Sequence, residues 1–165
     1  MPFSLEMGKD ITKEWFSNQN DIQTIVDLGI GAGTYPKLLG KDKYIWKGVE
    51  IWAPYIERYK LKDLYQEIRI GDIQYMELPD GDCAIIGDVM EHLEKEAAIK
   101  TFFKVDKQFE HVVLSIPTTV LSNRNFKGNR FESHLSSWTW EELCELIPQT
   151  YKIRKRVKPV TLFIK

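Results

Sequence analysis

Apolar residues in this chain gather into short β-branched runs, and the stretches between those runs mix polar and apolar positions in a helix-like way. The runs predict strands over residues 24–28, 44–50, 67–70, 83–87 and 111–116. Between them fall predicted helices over 9–19, 35–39, from Pro54 onward, over 94–104, and from Thr139 to Pro148. Thr139 stands three residues before Glu142, the spacing of an N-terminal capping box. The tail Tyr151–Lys165 reads as two strands turning near Lys158-Pro159, and the segment 71–82 is short for a full helix. Strands alternating with helices imply an α/β fold: an open, mostly parallel sheet covered on both faces. The chain has no repeat, low-complexity segment or linker, so residues 1–165 are expected to form a single domain.

The first strand runs into Gly29-Ile30-Gly31-Ala32-Gly33, three glycines at alternate positions, and then into a helix. Glycine permits backbone angles closed to other residues and lets a ligand approach the main chain. A strand–glycine turn–helix is therefore a nucleotide cradle at a helix N-terminus. Glu50 closes the second strand 21 positions past Gly29, at an exposed strand end where a carboxylate can bond both hydroxyls of a ribose. The dinucleotide fingerprint needs a third glycine at 34 or 36, where Thr34 and Pro36 stand instead. The turn is preceded by Asp27, which suits a cationic amino-acid ligand better than a pyrophosphate.

Val26-Asp27-Leu28-Gly29-Ile30-Gly31-Ala32-Gly33 resembles the first motif of class I S-adenosylmethionine-dependent methyltransferases. Four further segments resemble the motifs that follow in that family. They are Glu50, Gly71-Asp72-Ile73, the run Asp82–Leu93 containing Asp88-Val89-Met90-Glu91-His92, and His111–Pro117 ending in Ser-x-Pro. The resemblance implies a Rossmann-like, doubly wound, seven-stranded sheet that ends in an antiparallel hairpin. It implies S-adenosyl-L-methionine as cofactor, with Asp27, Gly29, Gly31 and Gly33 at its amino-acid half. Glu50, Ile51 and Trp52 would lie at the ribose and beside the adenine, Asp72 and Ile73 would hold the adenine, and Asp88 would lie on the reaction side.

Composition is that of an ordinary globular domain, 43% hydrophobic and 28% charged, with a net charge of −1 that supplies no field toward nucleic acid or membrane. Cys83 and Cys144 are too few for a disulfide framework or thiolate metal cage and are expected to be core fillers. The N-terminus has no signal-peptide pattern and no run reaches membrane-spanning length, so a cytoplasmic protein is expected. Lys152, Arg154, Arg156 and Lys158 alternate along the penultimate strand. With Arg124, Lys127 and Arg130 they could track phosphates, but a solvated edge face is the expectation.

The long irregular stretch from Pro117 to Ser137 begins where ligands sit in open α/β sheets and carries Arg124, Phe126, Lys127, Arg130, Phe131 and His134. This loop, the N-terminal helix and the turn after strand four must build any acceptor pocket. Candidate catalytic groups are Asp88, Glu91, His92 and His134, any of which could take a proton from an acceptor. Asp88 and His134 are expected to matter most. Two carboxylates and two imidazoles also suit a divalent cation. Loosely, the set resembles small-RNA 2′-O-methyltransferases, which carry E-x-x-E-H and a later histidine; here Asp88 replaces the first Glu. No metal is the expectation.

The sequence thus predicts a methyltransferase acting on an O or N atom of an unidentified small-molecule or glycan-type acceptor. A metal-assisted RNA 2′-O-methyltransferase is the alternative within the enzymes. A non-catalytic cofactor-binding subunit, dependent on a partner, is the alternative outside them.

Overall fold

A computed structural model describes residues 4–118 and 128–165; Arg124, Phe126 and Lys127 of the predicted loop lie outside the described residues. Seven strands form one sheet: β1 (Thr24–Leu28), β2 (Ile45–Glu50), β3 (Glu67–Ile70), β4 (Cys83–Gly87), β5 (His111–Pro117), β6 (Ile153–Val157) and β7 (Val160–Ile164). Their order is β3-β2-β1-β4-β5-β7-β6. The first five are parallel, and β7 runs antiparallel to both β5 and β6. Among the described residues, five α-helices accompany them: α1 (Lys9–Ser17), α2 (Thr34–Leu39), α3 (Pro54–Arg58), α4 (Lys95–Gln108) and α5 (Trp140–Leu146).

The period-two alternation of the buried strands divides the core between the two faces. Ile25 and Ile85 pack with Phe16 of α1, Tyr35 and Leu39 of α2, and Tyr55 of α3. Their neighbours Val26, Leu28, Ala84 and Ile86 pack on the other side with Ala98, Phe102 and Val105 of α4 and Leu143 of α5. Cys83 is fully buried in this framework, as a core filler would be, while Cys144 is half-buried.

Register places the ends of β1, β2, β3 and β4 side by side, with Leu28 opposite Val49 and Ile86, and Glu50 opposite Ile70. Strand order reverses between β1 and β4, which opens a crevice beyond their carboxyl ends.

Several boundaries differ from the sequence expectation. α4 continues to Gln108 rather than stopping near 104, because Val105 is buried and the last turn holds the 71–82 segment. Lys104 Nζ donates to the carbonyls of Ile73 and Met76, and Gln108 Nε2 to those of Leu78 and Pro79. That segment forms no helix, so α4 side chains satisfy its carbonyls. The helix at Pro54 lasts five residues and gives way to a 3-10 turn at Leu61–Asp63. α5 begins with the predicted capping box at Thr139 and Glu142. Among the described residues, no helix is long and apolar enough to cross a membrane.

Candidate active site

A cavity of about 400 Å³ lies at the crevice, within the size range of small-molecule sites. The glycine turn forms its floor. Gly29 and Ile30 donate their N–H groups to Val49 O, which ties the turn to β2. Gly29 has φ 78°, and a Cβ there would stand 2.6 Å from Val89 Cγ2, so no larger residue fits between this turn and the one after β4.

Glu50 is 4% exposed and so not at an exposed strand end as the sequence suggested. Its Oε2 accepts from Gly31 N at 3.0 Å and its Oε1 from Trp52 N at 2.7 Å. Burial pushes its carboxyl above the usual range, and the two backbone N–H groups oppose that shift. Glu50 and Ile51 line the cavity, as do Asp72 and Ile73 just past β3. Asp72 is held by the N–H of Gln74 at 2.9 Å.

The other cofactor-side candidates sit behind the cavity wall. Asp27 is buried and accepts from Tyr65 OH at 2.6 Å; burial pushes its carboxyl up to about 7. Gly33 faces Leu64 and Leu61, and Trp52 packs 6.1 Å from the Phe131 ring. Gly31, Gly29, Asp88 and His92 all reach the cavity, whereas Glu91 and His134 are not among its lining residues.

At the end of β4 the four acceptor-side candidates divide. Asp88 adopts a left-handed φ of 57° and uses its carboxylate structurally. Oδ1 accepts from Ser115 Oγ, and Oδ2 from Ser4 Oγ and Leu5 N, each at 2.7 Å. Glu91, His92 and His134 instead gather, their ligand-type atoms within 4.8 Å of one another. The gathering is built by the backbone: Leu135 N and Ser136 N both donate to Glu91 O. His92 Nδ1 lies 3.2 Å from Ser133 O; a carbonyl only accepts, so Nδ1 carries the proton and neutral Nε2 keeps a lone pair. Burial and the neighbouring His134 hold the His92 pKa below its usual value. Burial drives the Glu91 carboxyl well up, and its Oε2 has no hydrogen-bond partner among the described residues.

Residues that the sequence reading did not single out also line the cavity, among them Ser4, Tyr35, Tyr55, Asn129 and Glu132. Tyr55 OH donates to Glu132 Oε1 at 2.7 Å, and Asn129 Oδ1 accepts from Phe131 N at 2.9 Å, so the second half of the long loop is moored against α3. Beneath Tyr35 lies Lys9, 4% exposed, whose spacing with the buried Thr12 and Phe16 on α1 was a readable signal for an inward-facing lysine.

No family model and no curated protein matches this chain. Solved structures do. The PH0226 protein of Pyrococcus horikoshii OT3 is 16% identical, with 95% of this chain and 87% of that one covered at a TM-score of 0.70. Magnesium protoporphyrin IX methyltransferase of Synechocystis PCC 6803, solved with bound S-adenosylmethionine, is 13% identical, with 94% and 76% covered at a TM-score of 0.68. The small-RNA methyltransferase HEN1 is 19% identical at a TM-score of 0.67, with 94% of this chain but 24% of HEN1 covered. The fold is that of the class I methyltransferases.

Proposed function

We propose that this protein is an S-adenosylmethionine-dependent methyltransferase that acts on an oxygen or nitrogen atom of a small-molecule or glycan-type acceptor. The observation that carries this reading is the single cavity bounded by the glycine turn, Glu50 and Asp72 on one side and His92 on the other. Glu50 ends β2 and Asp72 follows the adjacent β3, and this reading assigns them to the ribose and the adenine, with the glycine turn left for the rest of the ligand. The cofactor, when bound, supplies an already activated methyl group on a sulfonium. The protein then has to align the acceptor and remove its proton. His92 suits the second task, because its Nε2 lone pair is available at neutral pH and it lines the cavity.

The charged residues lining the described cavity are all acidic: Glu50, Asp72, Asp88, Glu94 and Glu132. Such walls favour neutral or cationic acceptors over a phosphodiester chain. A second reading, metal-assisted transfer to an RNA 2′-hydroxyl, is favoured by one observation, the gathering of Glu91, His92 and His134 at a carboxylate whose Oε2 has no hydrogen-bond partner among the described residues. Those residues fit a cation through one carboxylate and two imidazoles.

Calorimetry tests the main reading. S-adenosylhomocysteine should bind and NAD should not, and Glu50→Ala should weaken the former by about 10- to 150-fold, the equivalent of roughly 1.5–3 kcal/mol for lost charge-assisted bonds. Binding followed by turnover on a panel of hydroxyl and amine acceptors supports an enzyme; binding without turnover on any of them supports a subunit that depends on a partner. Tight NAD binding with no response to S-adenosylhomocysteine would sink both.

A further inference from the structure

Lys9 places an ammonium under the wall of the cavity, 4% exposed. Its Nζ donates to Ser4 Oγ at 2.6 Å and to Tyr35 OH at 2.7 Å, and Ser4 and Tyr35 both line the cavity. Ser4 Oγ passes a hydrogen bond on to Asp88 Oδ2 at 2.7 Å, where Leu5 N also binds. Burying an ammonium costs several kcal/mol unless opposite charge faces it, and here Asp88 and Asp27 both do. Behind one end of the cavity, under the Ser4 and Tyr35 hydroxyls, the Lys9 ammonium thus lies with the Asp88 carboxylate of the wall and the buried Asp27. Charges of both signs so close together match a zwitterion better than a simple anion or cation.

Glu50 and Asp72 mark the other end. With ribose and adenine placed there, the remaining part of the ligand runs along Gly29 and Gly31 toward Thr34, Tyr35 and Ser4. We infer that Ser4, Lys9 and Tyr35 form the subsite for the zwitterionic amino-acid end of S-adenosylmethionine. This rests on the cofactor placement proposed above. The Tyr35 hydroxyl, which accepts from Lys9, donates to the ligand carboxylate, while Ser4, whose one proton goes to Asp88, holds the Lys9 ammonium in place. Lys9 acts through Tyr35 as a positioning residue, fixing the phenol oxygen and supplying the charge that makes it a good donor. The α-ammonium faces the Asp88 side. The segment leading into α1 is thus part of the binding machinery as well as a cover for the sheet.

The test compares two ligands that differ only beyond the sulfur: S-adenosylhomocysteine, which has the amino-acid end, and 5′-methylthioadenosine, which lacks it. In Lys9→Met, a change of similar shape without charge, S-adenosylhomocysteine binding should weaken about tenfold while 5′-methylthioadenosine binding stays within about twofold. Tyr35→Phe, which removes one hydroxyl, should give the same split and stands in if Lys9→Met does not fold. Equal losses for both ligands would mean general damage to the cavity and would overturn the subsite. Unchanged binding of both would overturn it too, as would a wild-type protein that binds the two ligands equally tightly. A wild-type protein that binds neither removes the cofactor placement itself, and the subsite with it.

Discussion

Asp27 shows what burial behind the cavity wall does to a carboxyl. Its carboxyl is buried at the end of β1, accepts from Tyr65 OH, and is pushed by burial up to about 7. In an unfolded chain the same group titrates near 3.8. Between those values the folded protein holds a proton that the unfolded chain has lost. Stability therefore falls as pH rises from about 4 to 7, and the loss is complete above 7. An asparagine in this place cannot titrate, and its side-chain carbonyl still accepts from Tyr65. Asp27→Asn should accordingly match the wild type at pH 4 and exceed it by about 2–4 kcal/mol at pH 8, at 1.36 kcal/mol for each unit of displacement. Urea unfolding of both proteins at the two pH values measures this. A difference that is the same at pH 4 and pH 8 would show the carboxyl to be ionised throughout.

At the scale of elements, Arg154 of β6 is tied down, while Lys152, Arg156 and Lys158 of the same stripe are exposed, as a solvated edge face would have them. Arg154 donates from Nη1 and Nη2 to the carbonyls of Cys144, Ile147 and Pro148 at the end of α5, and from Nε to Tyr151 O. Arg156 lies 3.7 Å from Glu141 of α5. The stripe that the sequence offered as a phosphate track or a solvated edge face thus also clamps α5 to the hairpin. Arg154→Met should strand several carbonyls and cost about 2 kcal/mol, a fall of roughly 4–8 °C in Tm. Lys155→Met, on the exposed side of the same strand, should stay within about 0.5 kcal/mol. Equal effects of the two in differential scanning calorimetry would show the clamp to be idle.

The strands and most helices were legible because each announces itself locally: near-continuous apolar runs for β1, β4 and β5, a Thr–Glu pair for the start of α5. What was not legible depends on partners distant in sequence. Glu50 reads as an exposed strand end, yet it is buried because Gly31 N and Trp52 N fold onto its carboxylate. Asp88 and His92 look like equal members of one motif. Ser4, Leu5 and Ser115 then claim the first, and the backbone of 133–136 draws the second toward His134. Ser4 and Glu132, which line the cavity, and Lys9 behind it carry no motif at all, and only the inward face of α1 hinted at one of them.

For the whole molecule, the decisive question is what the end of β4 does for the reaction. The sheet delivers Glu91, His92 and His134 to one point, but it takes Asp88 away to hold the N-terminal segment. Asp88 can rejoin a coordination shell only by giving up hydrogen bonds that order the wall of the cavity, which costs about 1–3 kcal/mol for each partner left unpaired. Glu91, with its carboxyl pushed well up by burial, must also lose a proton before it can bind a cation. Both costs argue that transfer proceeds with His92 as base and the other groups as its surroundings. Turnover should therefore survive dialysis against EDTA. His92→Ala should lose the most activity, about 10²–10⁴-fold, and Asp88→Asn should act mainly through stability and cofactor affinity. Loss of turnover in EDTA with recovery in Mg²⁺ or Mn²⁺, joined to equal losses at Glu91, His92 and His134, would reverse this. It would mean that the cation offsets both costs, and it would move the acceptor from a small molecule to the 2′-hydroxyl of an RNA.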